Sequence, residues 1–137
     1  MKMVKFMKKF LILIIITLMF ITGCSSKGEE MKTISYEEVN GIIENYENLE
    51  HVYIIDVREE DEYEEGHLIN SYNIPLSRLE DINNENISKD AKIIIYCRSG
   101  NRSKTAQSRL MEMGYTNVLD MGGILDWPYD VVNGIEE

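Results

Sequence analysis

Cys97 opens the segment Cys97-Arg98-Ser99-Gly100-Asn101-Arg102-Ser103, directly after the apolar run Ile93, Ile94, Ile95, Tyr96. A thiol at the end of a buried strand, just before a helix, can be a nucleophile. The backbone N–H groups from Arg98 to Ser103 would gather round the sulfur. The unpaired amides and the dipole of the new helix favour negative charge there. With Arg98, Arg102 and Lys104 close in sequence, the thiolate is the expected state, and a thiolate is the form that attacks.

The elements that must hold this loop are legible from periodicity. Ala91 to Tyr96 reads as a buried strand. Ser103 to Met113 reads as the helix after it, with Ala106, Leu110 and Met113 inward and Gly114 as its C-terminal cap. Val52 to Ile55 is a second buried strand, and its carboxyl end delivers Asp56. Asn117 to Leu119 supplies the last core strand, and Leu68 to Ile74 an extended segment leading into Pro75. Ser35 with Glu38 is a capping box and Ile34 with Val39 a hydrophobic staple. They predict a helix whose inward face is Val39, Ile42, Ile43 and Tyr46. Glu59 to Glu65 reads as a short helix with a solvated acidic face, and Asp81 to Lys89 as a surface connection preceded by a short helix. Strands alternating with helices point to parallel βαβ units, whose ligands bind beyond the carboxyl ends of the strands. Asp56 and Cys97 both fall at such ends.

The loop resembles the active-site loop of the rhodanese (sulfurtransferase) family. Further segments carry the same resemblance: Asp56-Val57-Arg58, Glu65-Gly66-His67, Asn73-Ile74-Pro75, and Gly122-Gly123-Ile124 with Trp127. The resemblance implies an α/β, three-layer domain with a five-stranded, mostly parallel sheet flanked by helices. It also implies a cysteine that carries sulfur as a persulfide. On this reading Cys97 is catalytic, and Arg98, Ser99, Gly100, Asn101, Arg102, Ser103 and Lys104 bind the substrate. Arg98 and Lys104 would hold an anionic donor, with Arg102 turned inward to brace the loop. Arg58 and Glu65 are expected to form a partly buried ion pair, with Asp56 as support at the strand end. His67 is expected to be structural rather than a general base, and His51 has no assigned role. The expected chemistry is transfer of a sulfane sulfur from a donor such as thiosulfate to a small or protein thiol. Cysteine phosphatases place an arginine six residues after the cysteine; here that position is Ser103, and the arginine, Arg102, is five after. The smaller ring suits one sulfur atom better than a phosphoryl group. A phosphatase or arsenate reductase, or a rhodanese-like binding module without catalysis, are the alternative readings. No Cys and His pattern with zinc spacing is present, and neither a metal nor a cofactor is expected.

The N-terminus reads as a targeting segment. Lys2, Lys5, Lys8 and Lys9 precede an apolar stretch from Phe10 to Ile21. That stretch is too short to be a bilayer span, which takes about 20 residues, and it suits the core of a signal peptide. Ile21-Thr22-Gly23-Cys24 resembles the lipobox of bacterial lipoproteins, which implies lipidation at Cys24, an anchor in the membrane, and a location in the bacterial cell envelope outside the cytoplasm. The expected organisation is a signal peptide over 1–23, a flexible tether over 24–32, the domain over 33–133 and a tail over 134–137, working as a monomer. With Cys24 lipidated, Cys97 has no cysteine left to pair with in this chain, so it is expected to be a reactive thiol rather than half of a disulfide. Residues 1–23 hold four lysines and no acid, so their loss takes the formal charge from −10 to −14, which argues against nucleic acid as a partner. Yet four of the ten remaining cations, Arg98, Arg102, Lys104 and Arg109, lie within thirteen residues from Cys97. Over a Debye length of about 8 Å such a cluster can hold a small anion.

Overall fold

In the computed structural model a run of five consecutive buried residues, Ile93 to Cys97, becomes the middle of a parallel sheet. The structure describes residues 3 and 30–134; Cys24, the rest of the expected signal segment and residues 135–137 lie outside the described residues. The strands are β1 (Lys32–Thr33), β2 (Val52–Asp56), β3 (Ser71–Asn73), β4 (Lys92–Cys97) and β5 (Val118–Gly123). They lie in the order β1-β5-β4-β2-β3, and every pairing is parallel. Lys32, expected in the tether, pairs with Leu119 and so belongs to the sheet.

Side chains alternate across β4, and this alternation divides the core in two. Ile93, Ile95 and Cys97 face one layer, with Ala106 and Leu110 of helix α3 (Asn101–Glu112) and with Leu79 and Ile82. Ile94 and Tyr96 face the other, with Val39 of helix α1 (Tyr36–Glu44), Leu68, Met121 and Trp127. The result is the expected three-layer α/β domain.

Helix α1 starts where the capping box places it. The Glu38 N–H donates to Ser35 Oγ at 3.2 Å, and the Ser35 N–H donates to the Glu38 carboxylate at 3.1 Å. Helix α3 begins at Asn101, two residues before the sequence expectation. It ends with the Gly114 N–H donating to Met111 O at 2.9 Å and the Tyr115 N–H donating to Leu110 O at 3.0 Å. These are the crossed bonds of a Schellman motif. The short helix α2 covers Glu60–Glu65.

Two further segments differ from expectation. The connection after Pro75 forms 3-10 helical turns over Leu76–Glu85, broken by a kink at Arg78, because Leu79 and Ile82 bury completely against the α3 face and draw the polar stretch with them. The segment from Leu68 pairs only from Ser71, since Asn70 turns the chain with φ 61°, a conformation asparagine tolerates better than most residues. Among the described residues no helix is long and apolar enough to cross a membrane.

Candidate active site

Cys97 is the last residue of β4, paired in register with Gly123 of β5, and its side chain is almost wholly buried. The thiol is free. Three residues on, Gly100 adopts φ 97° and reverses the chain into α3. Glycine takes this left-handed turn without strain. The turn brings the Gly100 N–H to 3.0 Å from Cys97 Sγ. No side chain caps the start of α3, so the first amides of the helix keep their hydrogens for whatever sits at the sulfur. Ser103, also fully buried, places its hydroxyl 3.7 Å from the sulfur and donates it to Gly100 O at 3.1 Å. Of the amides expected to gather round the sulfur, the Gly100 N–H is the one within hydrogen-bond distance of it; Asn101, Arg102 and Ser103 stand on the opening turn of α3, and Arg98 and Ser99 are exposed.

Strand β5 fixes the outer wall of the loop. A bulge shifts the β4–β5 register between Ile95 and Tyr96, and Asp120 holds it by accepting the Gly122 N–H at 2.9 Å. Such an irregularity re-aims the strand at its edge of the site. Gly123 then passes under the loop so closely that a Cβ on it would lie 2.8 Å from Ser99 Cα and closer still to the Arg98 carbonyl oxygen. The Arg98 carbonyl accepts the Leu125 N–H at 3.2 Å, and Tyr36 of α1 donates its hydroxyl to Gly123 O at 2.8 Å. The paired glycines read from the sequence are thus a clearance for the loop. Asp120, Tyr36 and Leu125 carry no signal in the sequence that ties them to Cys97.

The expected ion pair between Arg58 and Glu65 is not formed. Arg58 instead binds Asp56: its Nε reaches both carboxylate oxygens at 3.0 and 2.9 Å, and its Nη2 reaches one of them at 2.6 Å. The same Nη2 donates to Gly66 O at 2.6 Å, and the Arg58 backbone N–H donates to Asp56 at 2.9 Å. Asp56 is wholly enclosed whereas Glu65 is exposed and keeps its hydration. Burial therefore decides the partner, because an enclosed carboxylate needs the guanidinium, beside one backbone N–H, to replace its water. Burial opposes the charge on Arg58, yet the hydrogen bonds it donates to Asp56, together with the negative charge of that carboxylate, outweigh the penalty and hold the guanidinium above its ordinary range. Asp56 thus serves Arg58, and the arginine in turn lies 5.8 Å from the ring centre of Tyr96, the residue before Cys97. A guanidinium at that range is attracted to the ring face. Tyr96 carries the support further, accepting the Leu68 N–H at 3.1 Å and bonding Ser71 Oγ at 3.1 Å. Burial, then the nearby Asp56 carboxylate, pushes its phenol well above the usual range, so it stays protonated.

His67, expected to be structural, makes local contacts. Its Nδ1 lies 2.8 Å from Tyr63 O, its ring stacks on Tyr63 with centroids 3.6 Å apart, and its backbone bridges Val132. It borders a cavity of about 540 Å³ beside β3 whose lining does not include Cys97.

The cation cluster is less free than the sequence suggests. Arg109 bonds Leu76 O at 2.8 Å and pairs with Glu80. Arg102 places two nitrogens on the Glu62 carboxylate of α2, at 2.6 and 2.7 Å. Hydrogen bonds from Arg102, working against partial desolvation, hold the Glu62 carboxyl down at about 2. Glu62 was expected on a solvated face; its partner lies 40 positions away, beyond any local pattern. Arg98 and Lys104 are exposed, and among the described residues neither has a carboxylate in ion-pair range.

Comparison with known proteins assigns the class. The model of the rhodanese-like domain matches residues 35–128, and the chain belongs to that family. A putative mitochondrial thiosulfate sulfurtransferase of Schizosaccharomyces pombe is 30% identical over 116 residues, covering 75% of this chain and 82% of that protein. The adenylyltransferase and sulfurtransferase uba4 of Ogataea parapolymorpha is 40% identical over 76 residues, which are 55% of this chain but only 20% of that longer protein. Among solved structures, a rhodanese with anions from E. coli superposes with a TM-score of 0.57 at 36% identity, covering 61% of this chain and 99% of that one. Sulfur transfer is the general class of activity that these relationships support.

Proposed function

We propose that the chain moves a sulfane sulfur from a small anionic donor such as thiosulfate to a thiophilic acceptor, through a persulfide on Cys97. The observation that carries this reading is a buried sulfur 3.0 Å from the Gly100 N–H, at the uncapped start of a twelve-residue helix. In the first half-reaction the Cys97 thiolate bonds the outer sulfur of thiosulfate. The S–S bond of the donor breaks, and its electron pair leaves on sulfite. The new terminal sulfur carries the negative charge and lies toward the opening amides of α3. Donors fixed in advance at such a position contribute on the order of 3 kcal/mol each in comparable oxyanion sites. In the second half-reaction a thiolate or cyanide bonds that terminal sulfur, and the electron pair of the S–S bond returns to Cys97. No redox partner or cofactor enters either step.

Arg98 and Lys104, exposed beside the cysteine loop and without carboxylate partners among the described residues, would meet the donor anion. Arg102 braces the loop through Glu62, which supports sulfur transfer over phosphoryl transfer, where the loop arginine has to face the phosphoryl oxygens. In the same reading, lipid on Cys24 would hold the domain at the outer side of a bacterial membrane.

The test is a mass measurement on protein incubated with thiosulfate. It should gain the mass of one sulfur atom, lose it on addition of cyanide, and show ping-pong kinetics. Cys97→Ser should gain nothing. Sulfur uptake by the serine variant, or turnover of an aryl phosphate faster than of thiosulfate, would overturn the assignment.

A further inference from the structure

One residue of α2 and one of α3 pair at the start of the helix that follows the cysteine loop. Arg102, second residue of α3, gives both terminal nitrogens to Glu62. Glu62 is held for this in advance, because its carboxylate also accepts the Glu59 N–H at 3.2 Å at the start of α2. The two side chains are mostly sheltered, with 32% and 23% of their surfaces exposed. The pair is therefore less screened by salt and water than the exposed Arg78–Glu60 pair. The hydrogen bonds to Glu62 hold the Arg102 guanidinium above its ordinary range, and Cys97 adds a smaller electrostatic contribution, so the two residues lie within electrostatic reach of each other. Unpaired, it would add a full positive charge beside the sulfur. Paired, it adds little.

We propose that Glu62 is a specificity-determining residue: by neutralising Arg102 it limits the positive charge at the Cys97 loop and tilts donor selection from dianions toward singly charged sulfane donors. The donor preference rests on the sulfur-transfer reading, whereas the effect on local charge does not. Thiosulfate, a dianion, and benzenethiosulfonate, a monoanion, deliver the same outer sulfur to the same thiolate. In each the S–S bond breaks, and the electron pair leaves on sulfite or on benzenesulfinate. The two donors therefore differ in charge while the bond formed at Cys97 is the same.

The experiment compares kcat/KM for these two donors in the full chain and in Glu62→Gln, Glu62→Asp and Arg102→Gln. A second arm compares the rates at which iodoacetate, an anion, and iodoacetamide, neutral, alkylate Cys97. Glutamine can keep the capping contact to Glu59, so α2 should still start correctly in Glu62→Gln. With one more charge exposed near the sulfur, Glu62→Gln should raise both the thiosulfate to thiosulfonate ratio and the iodoacetate to iodoacetamide ratio by about three- to tenfold. Arg102→Gln should lower both below wild type, and Glu62→Asp should leave both near it. Ratios that stay at wild-type values while all rates fall together would reduce Glu62 to a brace and overturn the proposal. If wild type transfers no sulfur, the functional reading fails, and the alkylation ratios still decide this one. Should Glu62→Gln fail to fold, unchanged ratios in Arg102→Gln overturn the proposal.

Discussion

Replacing Arg58 by methionine keeps most of the side-chain volume and removes the charge that holds Asp56. The carboxylate is wholly buried and is clasped by this one guanidinium, with a single backbone bond from the Arg58 N–H besides. Leaving a buried charge without its partner costs about 3–5 kcal/mol. The Gly66 carbonyl loses its 2.6 Å donor in the same stroke. Set against a typical total of about 5–15 kcal/mol, this is a large share of the stability of a small domain. At about 4–8 °C per kcal/mol, the melting temperature should fall by more than about 10 °C. Thermal unfolding followed by circular dichroism measures this directly. A second variant, Asp56→Asn with Arg58→Met, removes both charges at once and should be less destabilised than the sum of the single changes by about 1–3 kcal/mol. A melting temperature for Arg58→Met within about 2 °C of wild type, or strict additivity in the double variant, would refute the view that this pair supports the site from within.

Acid should loosen the brace between Glu62 and Arg102. The folded carboxyl titrates at about 2, and an unfolded one at about 4.3. The stability the pair contributes is therefore complete above the unfolded value and is lost as pH falls toward the folded one. Solvent screening leaves about 1 kcal/mol of it. Urea unfolding of Glu62→Gln should fall less steeply than wild type between about pH 6 and pH 3, and parallel curves would count against the pair. Gly123→Ala sets a Cβ against the Arg98 and Ser99 backbone, which cannot turn aside as a side chain can. It should cost about 1–3 kcal/mol in urea unfolding and abolish sulfur uptake at Cys97. A Cβ on Gly41 in α1 meets nothing within 4 Å. Gly41→Ala should thus raise stability by about 0.5–1 kcal/mol, and a loss at both glycines would refute the clearance argument.

What could be read from the sequence is what depends on neighbours along the chain. The buried run of β4, the capping box at Ser35 and the Gly114 cap all lie within a few residues of their causes, and each stands where the sequence places it, while the turn from Cys97 leads into α3 two residues earlier than expected. The partner of Arg58 was missed because a family pattern juxtaposes Arg58 with Glu65, while desolvation selects the carboxylate nearer in space and more deeply buried, Asp56. Glu62 was missed for a related reason: six of the seven residues from Glu59 to Glu65 are acidic, and nothing local marks which of them meets an arginine from α3. The extent of the kinked 3-10 turns after Pro75 follows from Leu79 and Ile82 burying against α3, a contact between segments far apart in sequence.

The loop that carries Cys97 is held from three sides, and the three holds have different chemistry. Below it, Tyr96 anchors the end of β4 through a buried hydrogen-bond network under the Arg58 guanidinium. On one flank Gly122 and Gly123 give it clearance, with Leu125 and Tyr36 fixing the backbone on either side. On the other flank Arg102 ties the first turn of α3 to α2. A loop so constrained keeps its backbone in place, as the proposed passage of Cys97 between thiolate and persulfide requires, and preorganised donors stabilise charge without reorganising at the moment of transfer. That rigidity also explains why charge tuning falls to Glu62: with the backbone fixed, the adjustable quantity at the site is how many of its cations are left unpaired.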